Sequence, residues 1–187
     1  MNALEAAAQV HAVLMAAGID DAIGGALALA YHAEPRGTVD ADVDVAAGHE
    51  QAEAVVGLLA PLGWVAERSA SEWLPPVAGV RLVRPDSPVR VDLFFSLSDA
   101  YDEVFARREW HSPLGEPLPF LTAEDLTVFK LVFDRPKDWV DIEAMLQAGS
   151  LRDLAYVERK ALEMKGPRFW PSLSRLAALA QRARGED

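Results

Sequence analysis

Three aspartates spaced two residues apart, Asp40, Asp42 and Asp44, alternate with Ala41, Val43 and Val45. That alternation predicts an extended strand over residues 40–46, with the aliphatic side chains on a core and the acids on the other face. Neighbouring carboxylates on such a face stand roughly 6.6 Å apart. Like charges so placed disfavour one another, which calls for a cation to relieve them. Upstream lies Gly24-Gly25, and between the two features sits Arg36, the only Lys or Arg in the first sixty residues. Carboxylates behind a glycine turn point to magnesium held against a phosphate.

The 187-residue chain is long enough for one sizeable domain, which would bury roughly 70% of its unfolded surface. It has no cysteine, which excludes disulfides and thiolate metal sites. The first eighteen residues carry Glu5 and no basic segment, unlike a signal peptide, and no apolar run is long enough to cross a bilayer. The expected location is the cytoplasm. A net charge of −11 argues against wholesale coating of nucleic acid. The distribution is uneven, however: residues 150–187 hold eight Lys or Arg against five Asp or Glu. That basic end reads either as an anion-binding surface or as a solvated helix face.

Along the chain, Leu4, Ala7, Val10 and Leu14 predict a helix over residues 2–17, stopped at Gly18. A short strand at Ala22-Ile23 runs into the glycine pair, and Ala26–Tyr31 reads as a short helix. A further helix holds Ala52, Val55, Val56 and Leu59. Val80–Val83 and Val89–Phe95, joined by Arg-Pro-Asp-Ser-Pro, read as a hairpin. Asp99–Arg108 reads as helix and Leu114–Leu121 as an extended, Pro-rich connection. From Thr122 onward four helices follow, the first opened by a capping pattern, Thr122-x-x-Asp125. The expected organisation is a mixed α/β portion over residues 1–120 and a helical portion over 121–187, packed as one continuous unit.

Several residues carry candidate chemistry. Gly24 and Gly25, followed by a helix, allow a phosphate to approach the backbone, although a plain turn has the same sequence. Asp92 is a single acid in the apolar strand Val89–Phe95, on the face of Arg90 and Phe94. It reads as a third metal ligand from a second strand, or as the partner of Arg81 or Arg90. Magnesium prefers oxygen and uses few carboxylates together with substrate phosphates; two such ions roughly 3.5–4 Å apart would activate an acceptor and stabilise a leaving pyrophosphate. Lys130 stands on the apolar stripe of Leu126, Phe129 and Phe133, so it must snorkel or meet an anion. That anion is either a nucleotide phosphate or Asp138 or Asp141. Asp44 reads as a spare ligand or a solvated strand end. His32 and His111 have no supporting motif, and Trp110, Trp139 and Trp170 read as packing anchors.

Taken together, Gly24-Gly25, Glu34-Pro-Arg36-Gly-Thr38-x-Asp40-x-Asp42 and Val91-Asp92 resemble the nucleotidyltransferase fold, in the branch of AbiEii-like toxins and their relatives. The stretch Leu121–Leu146, with a lysine followed by Arg-x-x-Asp-x-x-Asp-Ile, is similar to that branch's helical signature. The resemblance covers about residues 20–147. It implies an α/β fold with a mixed sheet flanked by helices, and magnesium-dependent transfer of a nucleoside monophosphate from a nucleoside triphosphate. Asp40, Asp42 and Asp92 would hold magnesium, and Asp92 would assist deprotonation of the acceptor. Gly24, Gly25, Arg36, Thr38, Lys130, Asp138 and Asp141 would serve the nucleotide. The chain departs from the family by offering two Asp-x-Asp registers, of which Asp40–Asp42 fits the spacing, and by Ala26 in place of a serine found in some relatives. The implied acceptor is a tRNA or a protein, with an antitoxin as a further partner. The rivals are a non-catalytic nucleotide- or partner-binding module on the same fold and a phosphohydrolase.

Overall fold

Asn2 opens the first helix by accepting from the Glu5 amide at 2.9 Å, while the Glu5 carboxylate accepts from the Asn2 amide at 2.8 Å. This reciprocal cap satisfies two amides that a helix start leaves unpaired. The helix, α1 (Ala3–Ala16), buries Ala3, Ala6, Ala7, Val10, His11 and Leu14 along one side. It ends before Gly18, whose φ of 71° reverses the chain. These coordinates come from a computed structural model, which describes residues 1–67 and 79–185.

The chain divides into two compact units, Met1–Leu27 with Gly37–Leu121, and Ala28–Arg36 with Thr122–Asp187. The first holds a seven-stranded mixed sheet. Its strands in chain order are β1 (Asp21–Ile23), β2 (Asp40–Gly48), β3 (Val65–Ala66), β4 (Gly79–Arg84), β5 (Ser87–Ser96), β6 (Glu109–His111) and β7 (Leu118–Phe120). Their spatial order is β3-β4-β5-β2-β1-β7-β6, with β2–β5 and β1–β7 parallel and the remaining pairs antiparallel. The expected hairpin is β4–β5, and the acidic strand is β2. The Pro-rich stretch expected to be a connection supplies instead the inner strand β7, paired with β1 at Ile23 and Phe120. Pro119 lies in that strand; lacking an N–H, it donates nothing to the ladder.

The alternation in β2 works as the sequence predicts. Ala41, Val43 and Val45 register with Val91, Leu93 and Phe95 of β5, and all six are buried. α1 packs against β1, β2 and β5. The other residues of β2 and β5 face the opposite way, where a further helix, α4 (Ala100–Ala106), meets β2. α2 (Gly25–Leu29) follows the glycine turn, and α3 (Ala52–Leu59) packs on α1.

The second unit is helical: α5 (Ala123–Phe133), α6 (Pro136–Gln147), α7 (Leu154–Lys165) and α8 (Trp170–Ala183). Thr122 caps α5, its hydroxyl accepting from the Asp125 amide at 3.1 Å. Asp125 is fully buried, and both its oxygens are engaged, by Thr122 and by the Tyr156 hydroxyl of α7. α5 stops at Asp134, which adopts a left-handed conformation with φ 52° and accepts from the Trp139 indole at 2.6 Å. Of the three expected tryptophan anchors only Trp139 is buried; Trp110 and Trp170 are 53% and 49% exposed.

Candidate active site

β1 leads into the Gly24-Gly25 turn, and the Gly24 amide donates to the Asp42 carbonyl at 2.9 Å. This places the turn beside the acidic face of β2. A β-carbon on Gly25 would stand 1.7 Å from Asp42 Oδ2, and one on Gly24 would stand 3.1 Å from Asp44 Oδ2. Gly25 also has φ 56°, the left-handed region that favours glycine. Gly25 is therefore required by the close approach of Asp42, while at Gly24 Asp44 and Leu121 leave little room.

Asp40, Asp42 and Asp44 share one face of β2, and they differ in surroundings. Asp44 is only 4% exposed. It lies near Tyr101 of α4, whose hydroxyl pKa is pushed up by burial first and by the Asp44 charge second. Asp42 faces Gly25 and registers with Asp92 across the parallel β2–β5 pair; adjacent strands lie about 4.8 Å apart. Asp40 is farther along the strand, in register with Arg90, whose Nη1 stands 3.9 Å from Asp40 Oδ1. That oxygen is buried and accepts no hydrogen bond among the described residues. Thr38 folds over the strand start: its hydroxyl donates to the Asp40 carbonyl at 2.8 Å and accepts from the Asp40 amide at 3.1 Å.

Asp92 is in the layer that the sequence assigns it, and its two oxygens are both taken. Arg81 of β4 grips them through Nε and Nη2, each at 2.7 Å. Arg81 is the register partner of Asp92 on its other side, so Asp42, Asp92 and Arg81 form a row across three strands. This bidentate pair is the stronger kind of charge-assisted bond, and it raises the Arg81 pKa. Among the described residues no group of three ligating side chains stands in metal-binding geometry.

The donor chemistry nevertheless fits a hard divalent cation. Beside the Arg81 and Arg90 guanidiniums the face offers carboxylate oxygens, that of Asp40 accepting no hydrogen bond among the described residues, and a cradle between Asp42 and Gly25 that a β-carbon would fill. Magnesium needs no more than one or two protein carboxylates when substrate phosphates supply the rest.

The remaining candidates meet in the second unit. Arg36 grips Asp141 in bidentate fashion, Nε at 3.0 Å and Nη2 at 2.9 Å, and buried Lys130 donates to the same carboxylate. Asp138 lies 3.9 Å from Lys130 and accepts from the Arg135 guanidinium at 2.7 Å. Burial by itself would raise the Asp141 pKa; the Arg36 and Lys130 bonds overcome it and leave it lowered. Arg36, Lys130, Asp138 and Asp141 thus form one ionic network fixing α5, α6 and the segment before β2. His32 is buried, and its carbonyl accepts from Ser150 at 2.6 Å. His111 lies in β6, against Phe120. Sequence reasoning missed Tyr101, which has no motif, and His11, whose one signal is a histidine on the apolar stripe of α1.

No protein-family model matches this chain, and no curated protein matches it in sequence. Solved structures do. The lincosamide antibiotic adenylyltransferase LnuA, bound to lincomycin, superposes with a TM-score of 0.50 at 15% identity, over 73% of this chain and 92% of that one. An antigenic nucleotidyltransferase-like protein from Paracoccidioides brasiliensis gives 0.49 at 17% identity, over 92% and 90%. The antibiotic-resistance factor ANT(2'')-Ia gives 0.49 at 17% identity, over 94% of each chain. The likeness to LnuA, together with the sheet order, makes this a nucleotidyltransferase-like α/β fold. At such identities the likeness concerns the fold alone.

Proposed function

We propose that the chain is a magnesium-dependent nucleotidyltransferase that moves a nucleoside monophosphate from a nucleoside triphosphate to an acceptor hydroxyl. The observation that carries this reading is the lodging of Asp42 and Asp44 against the Gly24-Gly25 turn, with Asp92 in register beside Asp42. A helix-flanked sheet does not need three carboxylates on one face with two glycines cleared for them. Their mutual repulsion is a cost that a bound cation removes.

In this reading Asp42 and Asp44, beside the glycine turn, would hold the cation, which would neutralise the triphosphate and the leaving pyrophosphate. The glycine turn admits the phosphates to the backbone. Asp92, aimed by Arg81, receives the proton of the acceptor hydroxyl. The acceptor oxygen bonds to the α-phosphorus as the bridging bond to the β-phosphate breaks and its electron pair leaves with pyrophosphate. The chain's contribution is positioning and fixed charge, the main source of rate in such sites.

RNA is the acceptor we favour. From Lys165 to Gly185 the chain has five Lys or Arg and no acid, in a molecule of net charge −11. Arg168, Arg175, Arg182 and Arg184 in that stretch are exposed. Phosphate backbones are recognised by such local patches. A protein hydroxyl is the second acceptor, and the toxin half of a toxin–antitoxin pair in the cytoplasm is the cellular role. No described helix is long and apolar enough to cross a membrane. One observation favours the rival, a non-catalytic nucleotide-binding module: each oxygen of Asp92 already accepts a hydrogen bond from Arg81.

Incubation with labelled nucleoside triphosphates, magnesium and total RNA separates the two. Label appearing on RNA or protein, and lost in Asp42→Asn, supports transfer. Nucleotide binding without any labelled acceptor supports the module, and phosphate release without labelling supports a phosphohydrolase.

A further inference from the structure

Asp21 registers with Val45 and Ala22 with Asp44, so Asp21 points to the sheet face opposite the carboxylates, toward α1. There it meets His11: Nδ1 lies 2.8 Å from Asp21 Oδ1, and the residues are 6% and 1% exposed. The other Asp21 oxygen is buried with no hydrogen-bond partner among the described residues. Burial raises the Asp21 pKa despite the His11 bond. A buried ionisable pair is costly to keep, and the proposed transfer makes no use of this one.

His11 lines a pocket of about 470 Å³ between α1 and the β6–β7 hairpin, with Asp21 behind it. Ala12, Met15, Trp110, Leu114 and Leu118 line its apolar walls, with Glu116 beside them. Met15, Trp110 and Leu114 are 63%, 53% and 47% exposed, a concentration of large apolar side chains at one spot. The His11 ring meets the edge of Trp110 at 6.0 Å. Because a carboxylate only accepts, the proton of the His11–Asp21 bond is assigned to Nδ1, and in that tautomer Nε2 is an acceptor. No described residue donates to it. The other charges nearby are Arg108 and Asp20. Arg108 donates to the Asp21 carbonyl at 2.9 Å and to Asp20 at 3.0 Å, and its guanidinium lies 5.5 Å from the Trp110 ring centroid. Arg108 and Asp20 offset each other, and Glu116 is the one acid in the pocket lining.

We propose that this pocket is a second ligand site, for a small apolar amine. The ammonium group donates to His11 Nε2 with Asp21 behind it, and the hydrocarbon or aromatic body lies against Trp110 and Leu114. An acid of the same shape meets the His11 acceptor and the Glu116 carboxylate, so the site discriminates by sign as well as by size.

Calorimetric titration of the full chain with phenethylamine and with 3-phenylpropionate tests this. Phenethylamine is expected to bind and 3-phenylpropionate to fail. Trp110→Ala, which removes a wall, and Ala12→Leu, which fills the space, should each weaken the amine about tenfold or more. Both positions are exposed and outside the His11–Asp21 bond, so the fold is retained. Absence of amine binding, equal binding of the acid, or unchanged affinity in both variants overturns the proposal.

Discussion

Asp42 occupies the volume that a side chain on Gly25 would need: its Oδ2 lies 1.7 Å from the position of a β-carbon there. Gly25→Ala therefore has to move either the carboxylate or the turn, and the φ of 56° adds strain of its own. The variant should lose about 1–3 kcal/mol of stability in urea unfolding, and label transfer should fall about a hundredfold from the displaced carboxylate. Gly24→Ala, with a 3.1 Å approach to Asp44 and no positive φ, should be milder on both counts.

Three aspartates in one row give three separable variants. Asp42→Asn and Asp44→Asn, beside the glycine turn, should each lower label transfer by about two to three orders of magnitude. Asp40→Asn, farther from the turn, should lower it less. A ranking with Asp40 above Asp44, measured at saturating magnesium, would restore the Asp40–Asp42 register that the sequence favours.

Arg81→Met leaves the Asp92 carboxylate, 7% exposed, without its bidentate partner. Arg81 keeps 29% of its side chain in water, so the loss belongs at the low end of the range for buried pairs, about 3 kcal/mol. Adding Asp92→Leu should recover much of that stability while abolishing transfer. Thermal unfolding of the single and double variants measures the first effect, and labelling the second.

The sheet's acidic face was legible because a period of two fixes which residues share a side, and Asp92 faces with Arg90 and Phe94 as its strand pattern requires. What lies along that face was not legible. Asp44 reads as a spare ligand or a solvated strand end until the register of β1 places Gly24 against it. The pairing of Asp92 with Arg81 was one of two ionic alternatives, decided by a hairpin register that hangs on the turn at residues 84–87. β7 was missed because Leu118-Pro119-Phe120 has too few residues for a period, and its strand state comes from β1. The four C-terminal helices were readable from apolar spacing and caps, yet the same stripe left Lys130 with three possible anions, a phosphate, Asp138 or Asp141, until α6 supplied Asp141.

Asp141 sets a direction for acid stability. Its folded pKa is below the ordinary value of 3.8, so its contribution is complete above the unfolded pKa and is lost as the pH falls through the folded one. Stability of the second unit should therefore decline from about pH 4 downward. Asp141→Asn should be less stable than the parent at pH 7 and show a shallower loss below pH 4, read by far-ultraviolet circular dichroism against urea at each pH.

The pairing of Ile23 with Phe120 joins an early segment to one synthesised much later. Until β7 emerges from the ribosome, β1 keeps an unpaired edge, and the glycine corner at its end has no fixed floor. Any truncation that stops short of Phe120 should expose that edge to other chains and drive aggregation, however complete the acidic strand itself may be.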